Sequence, residues 1–113
     1  MKRTLTLLAV LALAGCNAAE TGSNEEACQE ADRVIAQIEE YSALATLTDE
    51  QENIARQWEF KLAEAAVVAT DHDLSADIRD LADAAGNVAE NLDNAEAKTT
   101  LDSMYETVTQ KCH

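Results

Sequence analysis

Apolar residues recur at every third or fourth position along most of this chain, which is the spacing of one face of an α-helix. The pattern predicts a first helix over residues 25–45 and a second over residues 49–69. The inward positions of the first helix are Cys28, Ala31, Ile35, Ile38, Ser42 and Ala45, widened by Val34 and Tyr41. Those of the second are Ile54, Trp58, Leu62, Ala65 and Ala69. Thr48, with Gln51 three residues later, forms a capping-box pattern that marks the start of the second helix.

The second half of the chain has the same helical spacing. Its third predicted helix has apolar residues at alternating steps of four and three, namely Leu74, Ile78, Leu81, Ala85, Val88 and Leu92. We expect Asp73 or Ser75 to cap this helix, and Asp93 with Glu96 to form the capping box of a fourth. The inward positions of the fourth helix are Ala97, Leu101, Met104, Tyr105, Val108 and Cys112. No segment shows the sustained alternation that is typical of a strand.

Four amphipathic segments joined by short turns predict an all-α fold, an antiparallel up-down-up-down four-helix bundle. In this topology the start of the first helix and the end of the last lie at the same end of the bundle. Cys28 and Cys112 occupy those two places, so the fold brings them together. A three-helix packing with the first helix splayed away is the structural alternative.

The amino terminus has the pattern of an export signal. Lys2 and Arg3 precede an apolar run over residues 5–13, which is shorter than the roughly 20 residues that a membrane-spanning helix needs. The run ends in Leu13-Ala14-Gly15-Cys16, which resembles the lipobox of bacterial lipoprotein precursors. The resemblance implies cleavage before Cys16 and a lipid on its thiol. An ordinary cleaved signal peptide, or a short core helix, is the alternative.

The lipobox resemblance implies a division of the chain and a location. Residues 1–15 are then the signal peptide, residues 16–24 the lipidated cysteine and its tether, and residues 25–113 the bundle. The mature protein is expected outside the cytoplasm, held to the bacterial membrane by its N-terminal lipid, and at the outer membrane if the host has two membranes. Beyond the lipobox, the chain resembles small uncharacterised helical lipoproteins of actinobacteria and their phages, a resemblance that implies no activity.

Three cysteines occur in the chain, and lipidation of Cys16 would leave Cys28 and Cys112 as an even pair. In an exported and therefore oxidising setting we expect these two to form a disulfide. The disulfide would close a loop of about 85 residues, which contributes roughly 4 to 5 kcal/mol in the chain-entropy model. Two unpaired buried thiols are the alternative.

The charge balance excludes one class of partner. The chain has 22 acidic and 8 basic side chains and a formal net charge of -14. Nucleic-acid binding derives much of its affinity from lysine and arginine on phosphates, so DNA and RNA are not expected partners. Anionic lipid headgroups are repelled for the same reason.

The sequence predicts neither an enzyme nor a cofactor. Its two histidines supply no Glu-x-x-His pair for a di-iron bundle and no His-Glu-x-x-His zinc helix, and no glycine-rich phosphate loop occurs. The topology places Asp71, His72 and Asp73 near His113, a weak candidate set for a divalent metal. A polar turn between two helices, with solvated histidine and capping aspartates, is the more ordinary interpretation.

A few large apolar residues lie off the inward stripes. Phe60 and Val67 share the face of the second predicted helix opposite Trp58, and Leu44 is off the stripe of the first. Trp58 itself is expected to be a core anchor, with a ligand platform as the alternative. That neighbouring helices cover the three off-stripe residues is the more ordinary interpretation; if they are exposed, they form a partner-binding patch.

Two functional hypotheses follow. The first is a non-enzymatic protein-binding or adaptor module of the cell envelope, with a phage-encoded surface-exclusion protein as a special case. The second is a lipoprotein that binds a small ligand or cation. A packed core with an exposed apolar patch favours the first, and a sizeable polar interior pocket favours the second.

Overall fold

A computed structural model describes the backbone of residues 23–112 and the surroundings of side chains 24–112. In chain order the helices of this part are α1 (Ser23–Ser42), α2 (Asp49–Ala55), α3 (Trp58–Val68), α4 (His72–Glu90) and α5 (Ala95–Cys112). Residues 23–112 contain no strand, so the all-α prediction is confirmed. The predicted signal peptide, Cys16 with most of the tether, and His113 lie outside the described residues.

The helices form an antiparallel four-helix bundle, as predicted. The pairs in close contact are α1 with α3, α3 with α4, α4 with α5, and α5 with α1. The short helix α2 is not among these pairs, and together with α3 it takes the place of the predicted second helix. The alternative with a splayed first helix is wrong, because α1 packs against two neighbours.

Helix α1 begins and ends earlier than predicted. It starts at Ser23, so the last two residues of the predicted tether belong to the helix. At the other end, the amide of Ala43 donates to Glu40 at 3.3 Å and that of Leu44 to Tyr41 at 3.1 Å. Such bonds between positions three apart tighten and terminate a helix. Ala45 therefore lies outside α1 and is exposed, contrary to its predicted inward position.

The predicted second helix is interrupted at Arg56 and Gln57, and it ends at Val68 instead of Ala69. The amide of Gln57 donates to the carbonyl of Ile54, three positions back, at 3.0 Å. A turn tightened in this way aligns positions three apart. It brings Ala55 and Trp58, which are both buried, toward the same side of the chain.

The predicted cap is correct for α2, but the predicted caps of α4 and α5 are wrong by one or more positions. Thr48 and Gln51 make both hydrogen bonds of the capping box, at 2.9 and 3.1 Å. Helix α4 is capped by Asp71, which accepts from the amide of Leu74 at 2.9 Å. Neither Asp73 nor Ser75 does so, and the Ser75 hydroxyl donates to the carbonyl of Ala66 at 2.6 Å.

Helix α5 begins after Asn94, which accepts from the amide of Ala97 at 3.1 Å. The predicted capping box of Asp93 and Glu96 is therefore wrong by one position. The amide of Asp93 instead donates to the Asn91 side chain at 3.0 Å, which holds the turn before α5. The side chain three residues after the true cap is an alanine, so no reciprocal bond of a capping box can form there.

The core is apolar and rich in alanine. Helix α4 contributes the largest share of it, with Leu74, Ile78, Leu81, Ala82, Ala84, Ala85 and Val88 buried. Trp58 is fully buried, its ring is tilted against that of Tyr41 at 5.4 Å, and its indole Nε1 donates to Gln37 at 2.8 Å. Trp58 is thus a core anchor, and the ligand-platform alternative is wrong. Among the described residues no polar or charged side chain is buried.

Candidate functional site

Helix α3 presents an apolar strip to solvent. Phe60 and Val67 are 63% and 73% exposed, and the exposed Ala63 lies between them. At about 100° per residue, Phe60 and Val67 are roughly 20° apart around the helix, and the fully buried Leu62 is nearly opposite. We refer to Phe60, Ala63 and Val67 as the α3 apolar face. This face is exposed because α3 has apolar residues on two opposite sides, and the other helices of the bundle cover only one of them.

Two further large apolar residues are exposed. Leu44, in the turn after α1, is 42% exposed, so all three residues of the predicted patch are accessible and the neighbouring helices do not cover them. Val68 at the end of α3 is also 42% exposed, and the sequence pattern did not single it out. It lines a shallow cleft between α1 and α3 together with Lys61 and Glu64. The sequence could have indicated the exposure of Val68, because it directly follows Val67 and lies off the inward stripe of the predicted helix.

A second feature is a groove at the end of the bundle where α2 begins and α4 ends. We call it the distal groove; it has a volume of about 630 Å³. Its apolar lining residues are Leu47, Ala55, Ala89 and Leu92. Its charged lining residues are Glu52, Arg56, Glu59 and Glu90. This groove could not be predicted from the sequence, because it depends on how α2 stands relative to α4.

Gly86 shapes the middle of the distal groove. A Cβ atom at this position would lie 2.4 Å from Oε1 and 2.9 Å from the carboxyl carbon of Glu59. Contacts that short do not occur, so the missing side chain of Gly86 is what allows the Glu59 carboxylate to lie against α4. The two residues come from different helices, α4 and α3, and together they place a carboxylate on the groove surface.

The opposite end of the bundle is held by covalent and polar links. The predicted disulfide between Cys28 and Cys112 is present, with the two Cα atoms 5.9 Å apart. Asn24 accepts hydrogen bonds from the amides of Thr70 and Asp71, at 2.8 and 3.0 Å, which ties the start of α1 to the turn before α4. These contacts confirm that the start of α1, the turn before α4 and the end of α5 share one end.

Lys111 adds an ion pair to this end of the bundle. Its ammonium group donates to the carboxylate of Asp77 on α4. This hydrogen bond, with the charges of Asp77, Asp73 and Asp71, raises the pKa of Lys111 above its ordinary value. The positive charge of Lys111 therefore offsets part of the local negative charge at neutral pH.

The candidate metal residues do not form a cluster in the described part of the chain. Asp71 uses a carboxylate oxygen to cap α4, and His72 is the first residue of that helix. Within residues 23–112 no three side chains of the histidine, cysteine, aspartate and glutamate types are arranged to hold a metal ion. His113, the fourth candidate, lies outside these residues.

One hydrogen-bonded pair of titratable groups links α5 to α1. The Tyr105 hydroxyl donates to the carboxylate of Asp32 at 2.6 Å. Burial raises the pKa of Tyr105, and the hydrogen bond and the charge of Asp32 raise it further. The folded protein therefore favours the protonated phenol, which keeps the hydrogen bond between α5 and α1.

Comparisons with known proteins identified no relative of this chain. No protein-family model matches the chain, and neither the curated proteins nor the solved structures that were searched gave a significant match. None of the helices between residues 23 and 112 combines the length and the apolar composition that crossing a bilayer requires.

Proposed function

We propose that this chain is a lipid-anchored extracytoplasmic helical bundle that acts as a non-enzymatic protein-binding or adaptor module of the bacterial cell envelope. The α3 apolar face is its contact surface. The observation that carries this proposal is the exposure of Phe60 and Val67 on a helix whose other side is fully packed in the core.

The energetics favour a binding role for this face. Large apolar side chains grouped in solvent mark interaction sites more often than single scattered ones do. Phe60 is the only phenylalanine in the chain, and it is not used in the core. Aromatic side chains that become buried at the centre of an interface supply a large part of its binding energy.

The packed interior supports a surface function over binding inside the bundle. Among residues 24–112 no polar or charged residue is buried, and every buried side-chain nitrogen or oxygen already has a hydrogen-bond partner, so none is left for a ligand to satisfy. The second hypothesis, a small ligand or cation held within the bundle, has no such group to rely on. Any ligand would have to use a surface cleft.

The anchoring part of the proposal rests on the lipobox and on the direction of α1. The helix begins at Ser23, seven positions after Cys16, at the end of the bundle that carries the Cys28–Cys112 disulfide. A lipid on Cys16 would keep that end near the membrane. Because α3 runs along the side of the bundle, its apolar face would then be open to a partner that stands beside it on the same membrane.

Site-directed photo-crosslinking tests the contact surface. A photoreactive aromatic residue replacing Val67 in the full chain, expressed in an envelope-bearing host, should give one discrete protein adduct. Phe60→Ser in the same chain should remove that adduct, because it deletes the aromatic group beside the probe. Ala76→Ser, an exposed change on α4, is the matched control and should leave the adduct intact.

Stability measurements make this experiment decisive. An exposed residue contributes little to folding, so Phe60→Ser should change the free energy of unfolding by no more than about 0.5 kcal/mol. Loss of the adduct at unchanged stability supports the proposal. The absence of any adduct from position 67, or an adduct that persists in Phe60→Ser, would remove the α3 apolar face as the contact surface.

A further inference from the structure

The distal groove exists because the bundle is not closed at that end. Helix α2 is only seven residues long and is not one of the closely packed helices. The helical conformation is interrupted at Arg56 and Gln57 before α3 begins. A gap therefore remains between α2 and the last turn of α4, and the turn after α4 closes one side of it. Its volume of about 630 Å³ lies within the range of roughly 300 to 1,000 Å³ that is typical of ligand sites.

The groove offers apolar contact as well as charge. Ala55 is buried, while Leu47, Ala89 and Leu92 are partly buried and pack against the core from the groove side. Alanine side chains leave room, and the two leucines lie in the turns before α2 and after α4. An occupant with aliphatic groups would gain by covering this surface.

The charges of the groove are predominantly negative. Glu52, Glu59 and Glu90 contribute three carboxylates, and among residues 23–112 none of them forms an ion pair. The guanidinium of Arg56 donates to the side chain of Asn53, three positions earlier in the chain, at 2.8 Å. The absence of a side chain at Gly86 leaves room for the Glu59 carboxylate beside α4.

From this combination we propose that the distal groove is a second docking site, which binds a peptide segment of a partner protein carrying lysine or arginine flanked by aliphatic residues. The basic side chains of the segment meet the three carboxylates, and its aliphatic side chains cover the leucines and alanines. The site is separate from the α3 apolar face, and the inference does not depend on the function proposed above.

Charge complementarity selects this occupant over the others. A second copy of the chain would bring 22 acidic against 8 basic side chains to an acidic groove. An anionic membrane would be repelled for the same reason, and the groove lies at the end opposite the Cys28–Cys112 disulfide. A bare metal cation would leave the apolar lining without a contact.

Fluorescence anisotropy with defined peptides tests the inference on the purified full chain in detergent. The probe is a short fluorescein-labelled peptide that repeats Lys-Leu-Ala. One matched peptide has glutamate in place of lysine, and another has serine in place of leucine. We expect the first peptide to bind and both matched peptides to bind at least about threefold more weakly, since each lacks one of the two contacts.

Variants of the chain localise the binding. Glu59→Gln combined with Glu90→Gln should weaken binding of the Lys-Leu-Ala peptide by about threefold to tenfold, the range expected for two exposed ion pairs. Glu40→Gln combined with Glu106→Gln removes the same charge from exposed positions outside the groove and is the control. Gly86→Leu keeps every charge, fills the groove, and should also weaken binding, with the folded state verified by circular dichroism.

The outcomes separate the groove from general attraction to an acidic protein. Weakening by the groove pair and by Gly86→Leu, with the control pair close to the unmodified chain, supports the inference. Equal weakening by both charge pairs would assign binding to the whole acidic surface and overturn it. No binding of the Lys-Leu-Ala peptide, or equally tight binding of the serine-containing peptide, would overturn it as well.

Discussion

The Cα atoms of Cys28 and Cys112 lie 5.9 Å apart, although 84 positions separate the two residues in the sequence. Their disulfide joins the first helix of the bundle to the last, so it encloses almost the whole folded part of the chain. In the chain-entropy model such a link acts mainly by restricting the unfolded chain, and its contribution increases with the length of the loop. The bundle is therefore predicted to depend on its oxidation state for stability.

Replacing both cysteines tests this dependence. Cys28→Ala combined with Cys112→Ala should lower the free energy of unfolding by about 4 to 5 kcal/mol, measured by urea denaturation, because the unfolded chain regains its loop entropy. The helical circular dichroism at low temperature should remain, since the apolar core is unchanged.

A reducing agent supplies the control for the disulfide prediction. It should lower the urea midpoint of the unmodified chain and leave that of the double variant unchanged. An unmodified chain that is insensitive to the reducing agent would contradict the prediction.

The start of α5 offers a prediction in which neighbouring residues act as test and control. Asn94 accepts from the amide of Ala97 at 3.1 Å, whereas the Asp93 side chain makes no such bond to the helix. Asn94→Ala should therefore cost about 1 kcal/mol of stability, the usual value for a lost cap. Asp93→Ala should change stability by less than about 0.5 kcal/mol. Thermal or urea unfolding compares the two, and a larger loss in Asp93→Ala would mean that the helix is capped differently.

The sequence predicted the helices and their buried stripes well where side-chain size made the pattern clear. On α4 the stripe residues Leu74, Ile78 and Leu81 are all buried as predicted. Ala82 and Ala84 on the same helix are also buried but were missed. Alanine gives little contrast in a hydrophobic pattern, so its burial depends on how closely α3 and α5 approach.

The break at Arg56 could not be predicted from local signals. No glycine or proline occurs near it, and the apolar spacing continues through it. The tightened turn aligns Ala55 with Trp58, and Trp58 in turn finds its hydrogen-bond partner, Gln37, on α1. Contacts between helices such as this one are not visible in a single sequence.

The two candidate surfaces also differ in how far they could be predicted from the sequence. The α3 apolar face could be named as a candidate from the sequence, because Phe60 and Val67 lie off the inward stripe of their own helix, but their exposure could not be predicted. The distal groove could not even be named, since it depends on how α2 stands relative to α4, and the approach of Glu59 of α3 to Gly86 of α4 is likewise a contact between helices. A lone glycine within a helical pattern signals a close approach of some kind, but it does not say which side chain approaches.

Anchoring through Cys16 can be tested in cells. Cys16→Ser should prevent lipid attachment, because the sulfur of Cys16 is the atom that would carry the lipid. We expect the variant to accumulate as unprocessed precursor or to appear in the soluble exported fraction. Incorporation of a labelled fatty acid and detergent phase partitioning measure the two effects.

The disulfide variant is the matched control for anchoring. Cys28→Ala combined with Cys112→Ala removes two cysteines but leaves Leu13-Ala14-Gly15-Cys16 intact, so it should still incorporate the label. If Cys16→Ser incorporated the fatty acid and fractionated with membranes like the unmodified chain, the lipobox interpretation would be wrong.

The Tyr105–Asp32 hydrogen bond predicts a loss of stability at alkaline pH. Burial, the bond to Asp32 and its negative charge all raise the pKa of Tyr105 in the folded protein, so the folded state favours the protonated phenol. The stabilisation is therefore complete below the pKa of tyrosine in the unfolded chain, about 10, and is lost as the pH rises through the folded pKa.

Comparing the unmodified chain with Tyr105→Phe isolates this contribution, because Lys111 and the other alkaline groups are common to both. At neutral pH the unmodified chain should be more stable by about 1 kcal/mol, the usual net value of one hydrogen bond. The difference should decrease as the pH rises above about 10 and the phenol of the unfolded chain ionises. Urea unfolding at pH values from neutral to alkaline measures it. A difference that stayed constant across this range would show that ionisation of Tyr105 is not linked to folding, and would leave the phenol as a packing group between α5 and α1.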